Sequence, residues 1–387
     1  MSLEFDGANN KISNSSGASY GVALPAPNYR QPQPLIINGD MAVAQRATST
    51  ASITTSGYQT VDRYQTQIGS LGTWTQSQAT DVPTGSGFAT SLKMDCTTVD
   101  ASPAASDYLY LEQIFEGQNL QLLKKGTADA EKITVSFWVK SVLTGTYCVS
   151  MKDNDNNRAI AGSYTISDAS TWEKKIITFA GDTTGAFDND NAASLYLHFW
   201  LAAGSDYTSG SLGTSWATTV WANMAVGQVN LANSTSNDFW ITGVQMEVGE
   251  FTSSTIPPFQ HESYGDNLQR CLRYFQTPVY ATDAQGAAEM YSIFGTGVYT
   301  GDTYVRFPRP LPVEMRVNPT LTSNSGTNYF WISSGANDEL DDLTIHPDSN
   351  YKTAYVYNND EASGTAGQGA ILLANDAAAY LWLNAEL

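Results

Sequence analysis

The residues of this sequence able to do chemistry are three histidines, a surplus of carboxylates and a high density of aromatic rings. His198 lies within the apolar run 194–200, where a hydrogen-bonded core or edge residue is expected. His261 stands beside Glu262, and His346 precedes Pro347 in a polar stretch. No G-x-S-x-G, H-E-x-x-H or glycine-rich phosphate loop occurs, so none of the usual frames for a nucleophile, a zinc ion or a nucleotide is present. Carboxylates are plentiful, as in Asp338-Glu339-Leu340-Asp341-Asp342, and a glycosidase needs only one pair. In so acidic a chain such pairs arise throughout, and a solvated loop is the expectation for this one. Asp153-Asn154-Asp155-Asn156-Asn157 has the oxygen density of a calcium loop. An EF-hand, however, needs glycine at the sixth position and an acid at the twelfth, where this chain has Arg158 and Tyr164. A hairpin turn is the expected role. The chain is therefore expected not to be an enzyme.

The aromatics, 9 Trp, 21 Tyr and 14 Phe, point to a different chemistry. Rings stack on the apolar faces of sugars while amides and carboxylates read the hydroxyls. Trp138, Trp172, Trp200 and Trp240 fall at strand positions suited to packing. The stretch 203–221 carries Tyr207, Trp216 and Trp221 among Ser, Gly and Thr, where rings can face solvent. Tyr329, Trp331, Tyr355 and Tyr357 do so farther along. Tyr207, Trp216, Trp221, Trp331 and Tyr355 are the candidate glycan-binding residues. Subunit interfaces use the same residue types.

Strand signals position these rings. Residues 133–140 and 147–151 alternate apolar and polar, 172–179 and 194–200 read as further strands, and 238–248 closes the series. Pro257 and Pro258 end any ladder. Residues 263–275 are the most helix-like segment, with Leu268, Leu272 and Phe275 at helical spacing and Arg270 and Arg273 toward the end. Beyond it, 304–307, 329–332, 354–357 and 380–383 are short strand candidates between Gly-, Asn- and Asp-rich loops. Residues 1–34, rich in Gly, Asn, Ser and Pro, read as turn and extended linker, with Phe5, Ile12 and Tyr20 able to dock on a partner. The expected fold is all-β: an N-terminal attachment segment or linker at 1–34, a sandwich at 35–258, a short linking helix at 259–275 and a smaller C-terminal β-domain at 276–387.

The junction Thr242-Gly243-Val244-Gln245-Met246-Glu247-Val248-Gly249, followed by Pro257-Pro258-Phe259-Gln260-His261-Glu262-Ser263-Tyr264-Gly265-Asp266-Asn267-Leu268-Gln269-Arg270-Cys271, resembles one in tailed-phage virion appendage proteins, tail fibres or capsid fibres. There it ends a carbohydrate-binding-module-like jelly roll. Residues 35–46 resemble the opening strand of that family, 60–64 its "VDRW" element with Tyr64 for the tryptophan, and 307–316 part of its C-terminal domain. The ending Asn384-Ala385-Glu386-Leu387 is similar to theirs. The resemblance implies a jelly roll for the sandwich and adhesion to host-surface glycans by a homo-oligomer, often a trimer. It also implies attachment to other virion proteins through the N-terminal segment. One structural Ca2+ is implied where the first and last strands meet, at Asp40 and Glu247, both hard oxygen ligands. A purely structural or decoration protein without ligand, or a polysaccharide hydrolase, remain alternatives.

Charge and cysteines bound the partners. With 19 basic and 38 acidic residues the net charge is −19. No cationic cluster exists to neutralise phosphates, so nucleic acid is not an expected partner. Anionic head groups are disfavoured as well. No apolar run approaches the roughly 20 residues of a membrane span. Cys96, Cys148 and Cys271, odd in number and without a CxxC pair, are expected as buried free thiols. The opening Met1-Ser2-Leu3-Glu4-Phe5-Asp6 lacks the marks of a signal peptide. Synthesis in a host cytoplasm and residence in a virion fit these features. No heptads mark the first segment, so its oligomer number is not written there.

Overall fold

The computed structural model describes residues 3–6, 11–14, 19–21, 34–280, 292–335, 337–376 and 378–387. The chain divides into two compact units, 1–34 and 35–387. The first carries strands Leu3–Asp6, Lys11–Asn14 and Ser19–Gly21 in one antiparallel sheet. Phe5 pairs in register with Ile12, and Ile12 with Tyr20. These strands lie within the stretch expected as turn and extended linker.

In the second unit the fold is all-β, as expected. One sheet has six antiparallel strands in the spatial order Glu173–Phe179, Ile133–Ser141, Asp238–Val248, Ser91–Thr98, Thr73–Ala79, Ser49–Ile53. The other has seven: Ala217–Thr218, Arg158–Ile166, Gly145–Asp153, Ala193–Ala203, Tyr108–Glu116, Gln65–Gly69, Gly57–Tyr58. Neighbours in space are mostly distant in sequence, the mark of a jelly roll. Alternation sets the faces. Leu195, Leu197, Phe199 and Leu201 enter the core between the sheets with Leu111, Phe137, Val149 and Phe239. Tyr196, His198 and Trp200 point to the opposite face.

Residues 35–46 are not a strand. Asn38 and Met41 have φ of 59°, and the Asn38 amide donates to the Val43 and Asp62 carbonyls at 2.8 and 3.0 Å. A Cβ on Gly39 would meet the Val244 carbonyl oxygen at 2.1 Å. The stretch is thus a tight turn pressed on the last strand, with Ile36, Met41 and Val43 anchored in the core.

The linking helix runs Tyr264–Leu272, shorter than 259–275, because the Ser263 hydroxyl caps it by accepting from Asp266 N at 3.1 Å. Phe275–Tyr280 already pairs with Tyr380–Asn384, and Thr320–Ser323 completes a three-stranded sheet. A seven-stranded sheet packs with it: Asn337–Leu340, Phe330–Ser333, Gly369–Ala374, Ile293–Tyr299, Val305–Pro310, Thr353–Asn358, Thr344–Ile345. Phe294, Phe307, Phe330, Leu372 and Leu381 form its core.

The two domains are locked by ions and rings. Arg273 binds Glu116 with two bonds of 2.7 Å, and the Tyr274 hydroxyl donates to the same carboxylate at 2.6 Å. Arg46 and Arg63 lie over the rings of Phe275 and Tyr274 at 3.5 and 3.6 Å, and both pair with Glu386. Arg316 donates to Asn191, Ala385 and Glu386 carbonyls. Burial works to raise Glu116, but the bonds from Arg273 and Tyr274 outweigh it and hold the carboxyl below its usual range.

Candidate functional site

The outer face of the jelly roll's seven-stranded sheet gathers polar and aromatic side chains that register alone aligns. Gln65 lies opposite Glu112, Glu112 opposite His198, and His198 opposite Ser150. Beside this row, Tyr196 lies opposite Lys152. On the other side Gln67, Tyr110 and Trp200 follow one another across three strands.

Five of these groups, Trp200, Ser150, His198, Glu112 and Gln67, form one polar chain. Trp200 Nε1 donates to Ser150 Oγ at 2.9 Å, and Ser150 lies 3.2 Å from His198 Nδ1. Either Ser150 or Nδ1 can donate in this pair, while the Glu112 carboxylate facing Nε2 can only accept, so it favours a proton on Nε2. Nε2 sits 3.3 Å from Glu112, whose other oxygen accepts from Gln67 at 2.6 Å. Ser150, His198 and Glu112 are all buried. The array has the order of a hydrolytic triad, with Ser150 fully buried at the floor of the face.

Aromatic rings stand on that floor. Residues 204–230 fold over one half of the face, beginning at Gly204, where a Cβ would meet the Ala104 carbonyl oxygen at 1.9 Å. The helical turn Ser205–Thr208 carries Tyr207, and the turn Trp221–Asn223 presents Trp221. Met224 and Ala225 close over Tyr110, Cys148 and Trp200 as a second small core. Tyr207 meets Trp200 at 5.4 Å and Trp221 edge-on at 6.0 Å. The Trp221 ring lies 6.4 Å from that of His198, nearly parallel at 23°, and the residue is 39% exposed. The Trp221 ring is thus held by His198 and Tyr207 while the residue stays partly open to solvent. Tyr196, Gln67 and Lys152 rim the platform half-buried, with the Lys152 ammonium 5.3 Å from the Tyr196 ring. Burial lowers the pKa of Lys152 and, with the Glu112 charge, raises that of Tyr196, so the tyrosine keeps its proton.

The other candidates lie elsewhere. Trp216 is half-buried against the main core, and its Nε1 donates to the Ala180 carbonyl at 2.7 Å. Trp331 lines a cavity of about 390 Å³ with Asp338, Glu339, Glu361 and Asn375. Tyr355 lies four strands away from Trp331 in the same sheet, roughly 19 Å at about 4.8 Å per strand, and near His346 instead. Tyr207 and Trp221 alone among the five come together.

Asp40 and Glu247 do not converge on an ion. The Asp40 carboxylate accepts from Asn267 of the linking helix at 3.1 Å, and its carbonyl faces Thr242. Glu247 lies five residues beyond Thr242, on the order of 15 Å along the strand at about 3.3 Å per residue. It pairs in register with Thr134. Burial raises the Glu247 pKa with no cation beside it to compensate. These two side chains therefore do not fit a shared calcium ion.

An oxygen cage does exist at the 153–158 hairpin, and a lysine fills it. The buried Lys125 ammonium lies 2.5 Å from Asp153, 3.1 Å from Asp182, and 2.9 and 2.6 Å from the Thr184 and Gly185 carbonyls. Arg158 binds Asp182 with two bonds, and Asn156 bonds Asp153. The Asp-Asn run is a hairpin turn as expected, and its oxygen density serves an internal cation. Lys125 carried no sequence signal, because its partners come from two separate loops. The three cysteines are free and buried; burial pushes the Cys148 thiol up to about 12 and Cys96 up to about 11.

No protein-family model matches this chain, and no curated protein does. Among solved structures it is similar to the enzymatically active domain of tailspike protein 4 of bacteriophage CBA120 (TM-score 0.29, 14% identity), over 56% of this chain and 21% of that one. This chain thus spans about a fifth of the tailspike domain's length. It is also similar to TmCBM61 in complex with β-1,4-galactotriose (TM-score 0.27, 7% identity, 56% of this chain and 99% of that one). A putative sugar binding protein from Bacteroides thetaiotaomicron gives 0.29, 12%, 56% and 100%. At such identities and TM-scores, function has to be read from the side chains themselves.

Proposed function

We propose that the chain binds glycans through the outer face of its seven-stranded sheet, without cleaving them. The observation that carries this reading is Trp221, an exposed ring lying nearly parallel to that of His198, beside a rim of hydroxyl, amide and ammonium groups. A sugar ring laid on Trp221 places its hydroxyls within reach of Gln67, Tyr196 and Lys152. The fixed His198–Glu112 floor keeps the rim ordered before binding, which reduces the entropy lost on association. The net charge of −19 favours a neutral glycan.

We further propose that this adhesion serves a tailed-phage virion appendage, a tail fibre or capsid fibre, on the host surface. The likeness of 242–271 to such proteins supports it. The segment 1–34 then attaches to other virion proteins, and trimerisation multiplies weak subunit sites into avidity. A glycan array probed with the purified protein and with Gln67→Ala tests the binding. Saturable signals weakened by the substitution are expected; an array silent to well-folded protein favours a structural protein without ligand. Release of new reducing ends from a bound polysaccharide would contradict the non-enzymatic reading.

A further inference from the structure

A cleft of about 560 Å³ opens between the jelly roll and the C-terminal domain, a volume within the range of about 300–1,000 Å³ typical of small-ligand sites, which favour domain interfaces. One wall is the outer face of the three-stranded sheet. There Trp382 lines the cleft, its ring held by Tyr380 at 4.3 Å and edge-on by Phe275 at 5.6 Å, and Thr322 stands opposite it in register. The other wall is the edge of the jelly roll's seven-stranded sheet, with Tyr58 and Gln65. At the base, Arg46 is already paired with Glu386 at 3.3 Å and lies 4.0 Å from Asp62. The base therefore offers no uncompensated cation to an acidic sugar. Half-buried aromatic surface, hydroxyls and amides are the chemistry of an uncharged saccharide site.

The cleft continues the platform. Gln65 lines the cleft and Gln67 rims the platform, two residues apart on the same face of one strand, roughly 7 Å at about 3.3 Å per residue. Tyr58 pairs with Gln65 in the strand beyond. A chain of sugars lying across the strands from Trp221 passes Glu112, Gln67 and Gln65 and reaches Trp382. We propose that the interdomain cleft is a second subsite for the same neutral glycan, with Trp382 as its stacking ring, so that long oligosaccharides bind more tightly than short ones. The continuity of the two subsites rests on the platform reading given above; the cleft chemistry stands without it.

The test is an NMR titration that follows the tryptophan indole N–H signals, assigned by Trp→Phe substitution. The probes are neutral di- and hexasaccharides of glucose, galactose, xylose and mannose. The expected result is that one hexasaccharide series shifts both the Trp221 and Trp382 signals, and that Thr322→Tyr, which fills the cleft from an exposed position, lowers the hexasaccharide-to-disaccharide affinity ratio about tenfold. Movement of Trp221 alone, with that ratio unchanged in Thr322→Tyr, overturns the cleft and leaves the platform. Movement of Trp382 alone overturns the platform and the continuity while leaving the cleft. No movement of either signal with any probe overturns both. Should Trp382→Phe fail to fold, Thr322→Tyr and the hexasaccharide affinities still decide the matter.

Discussion

The two outer faces of the jelly roll carry similar side chains in different settings. On the six-stranded sheet, the Trp240 ring lies under two ammonium groups, Lys140 at 4.1 Å and Lys93 at 5.2 Å. Lys140 also sits 5.5 Å from Trp172, whose Nε1 donates to Asp81 at 3.0 Å. Lys140 and Lys93 are themselves paired with Asp81 and Asp238. Trp240 and Trp172 thus both lie against protein cations. On the seven-stranded sheet, Trp221 lies nearly parallel to His198 and is 39% exposed. Tryptophan count therefore does not distinguish a packing face from a candidate binding face; the exposure of the ring does.

The largest effect expected is on the cage that fixes the hairpin at the edge of the binding face. Lys125→Ala leaves Asp153 and Asp182 without their shared cation and should cost about 3–5 kcal/mol in a chemical melt, as breaking buried ion pairs does. Added Ca2+ should restore part of that loss, since the emptied cage offers four oxygens. A loss under about 1 kcal/mol would show that the cage is not structural. Next comes the packed face. Trp240→Ala should destabilise by about 3 kcal/mol, against less than about 1 kcal/mol for the exposed Trp221→Ala. Equal losses would erase the contrast between the faces.

Acid should act on the junction and the cage together. Glu116 and Asp182 are both held below their usual values against the opposing effect of burial, Glu116 by Arg273 and Tyr274, Asp182 by Arg158, Thr184 N and Lys125. Depressed carboxyls contribute stability above their unfolded values of 4.5 and 3.8, and that stability is lost as pH falls through the folded ones. Asp62 works the other way. Burial raises it to about 6, so its contribution grows as pH drops from about 6 toward 3.8. Tm is therefore expected to fall below about pH 4.5, and to fall less steeply in Glu116→Gln, which starts lower at neutral pH. An unchanged acid slope in that variant would remove Glu116 from the account. The smallest effect is Gln67→Ala, a fewfold loss of glycan affinity with little change in Tm.

How much of this was legible in the sequence follows from how far apart the partners lie. Strands such as Ile133–Ser141 and Ala193–Ala203 announce themselves by alternation. Gln65–Gly69 and Gly57–Tyr58 do not, because their outward side chains are polar and their inward ones few. Tyr207 and Trp221 were readable by residue type in a polar stretch. Glu112, His198 and Gln67 were not, since only the pairing of three distant strands brings them into one row. The matched stretches do meet in the fold: Arg46, Arg63 and residues 273–275 join at the network around Glu116 and Glu386. Reading Asp40 as a metal ligand missed that Asn267, in the same motif, already takes its carboxylate.

The most direct test of the central claim is calorimetric titration of one bound oligosaccharide into wild type, Trp221→Ala and Trp240→Ala, each checked for folding. The account predicts at least a tenfold loss of affinity for Trp221→Ala, about 1.4 kcal/mol, and an affinity within twofold of wild type for folded Trp240→Ala. Undiminished binding by Trp221→Ala, or a loss confined to Trp240→Ala, would contradict it.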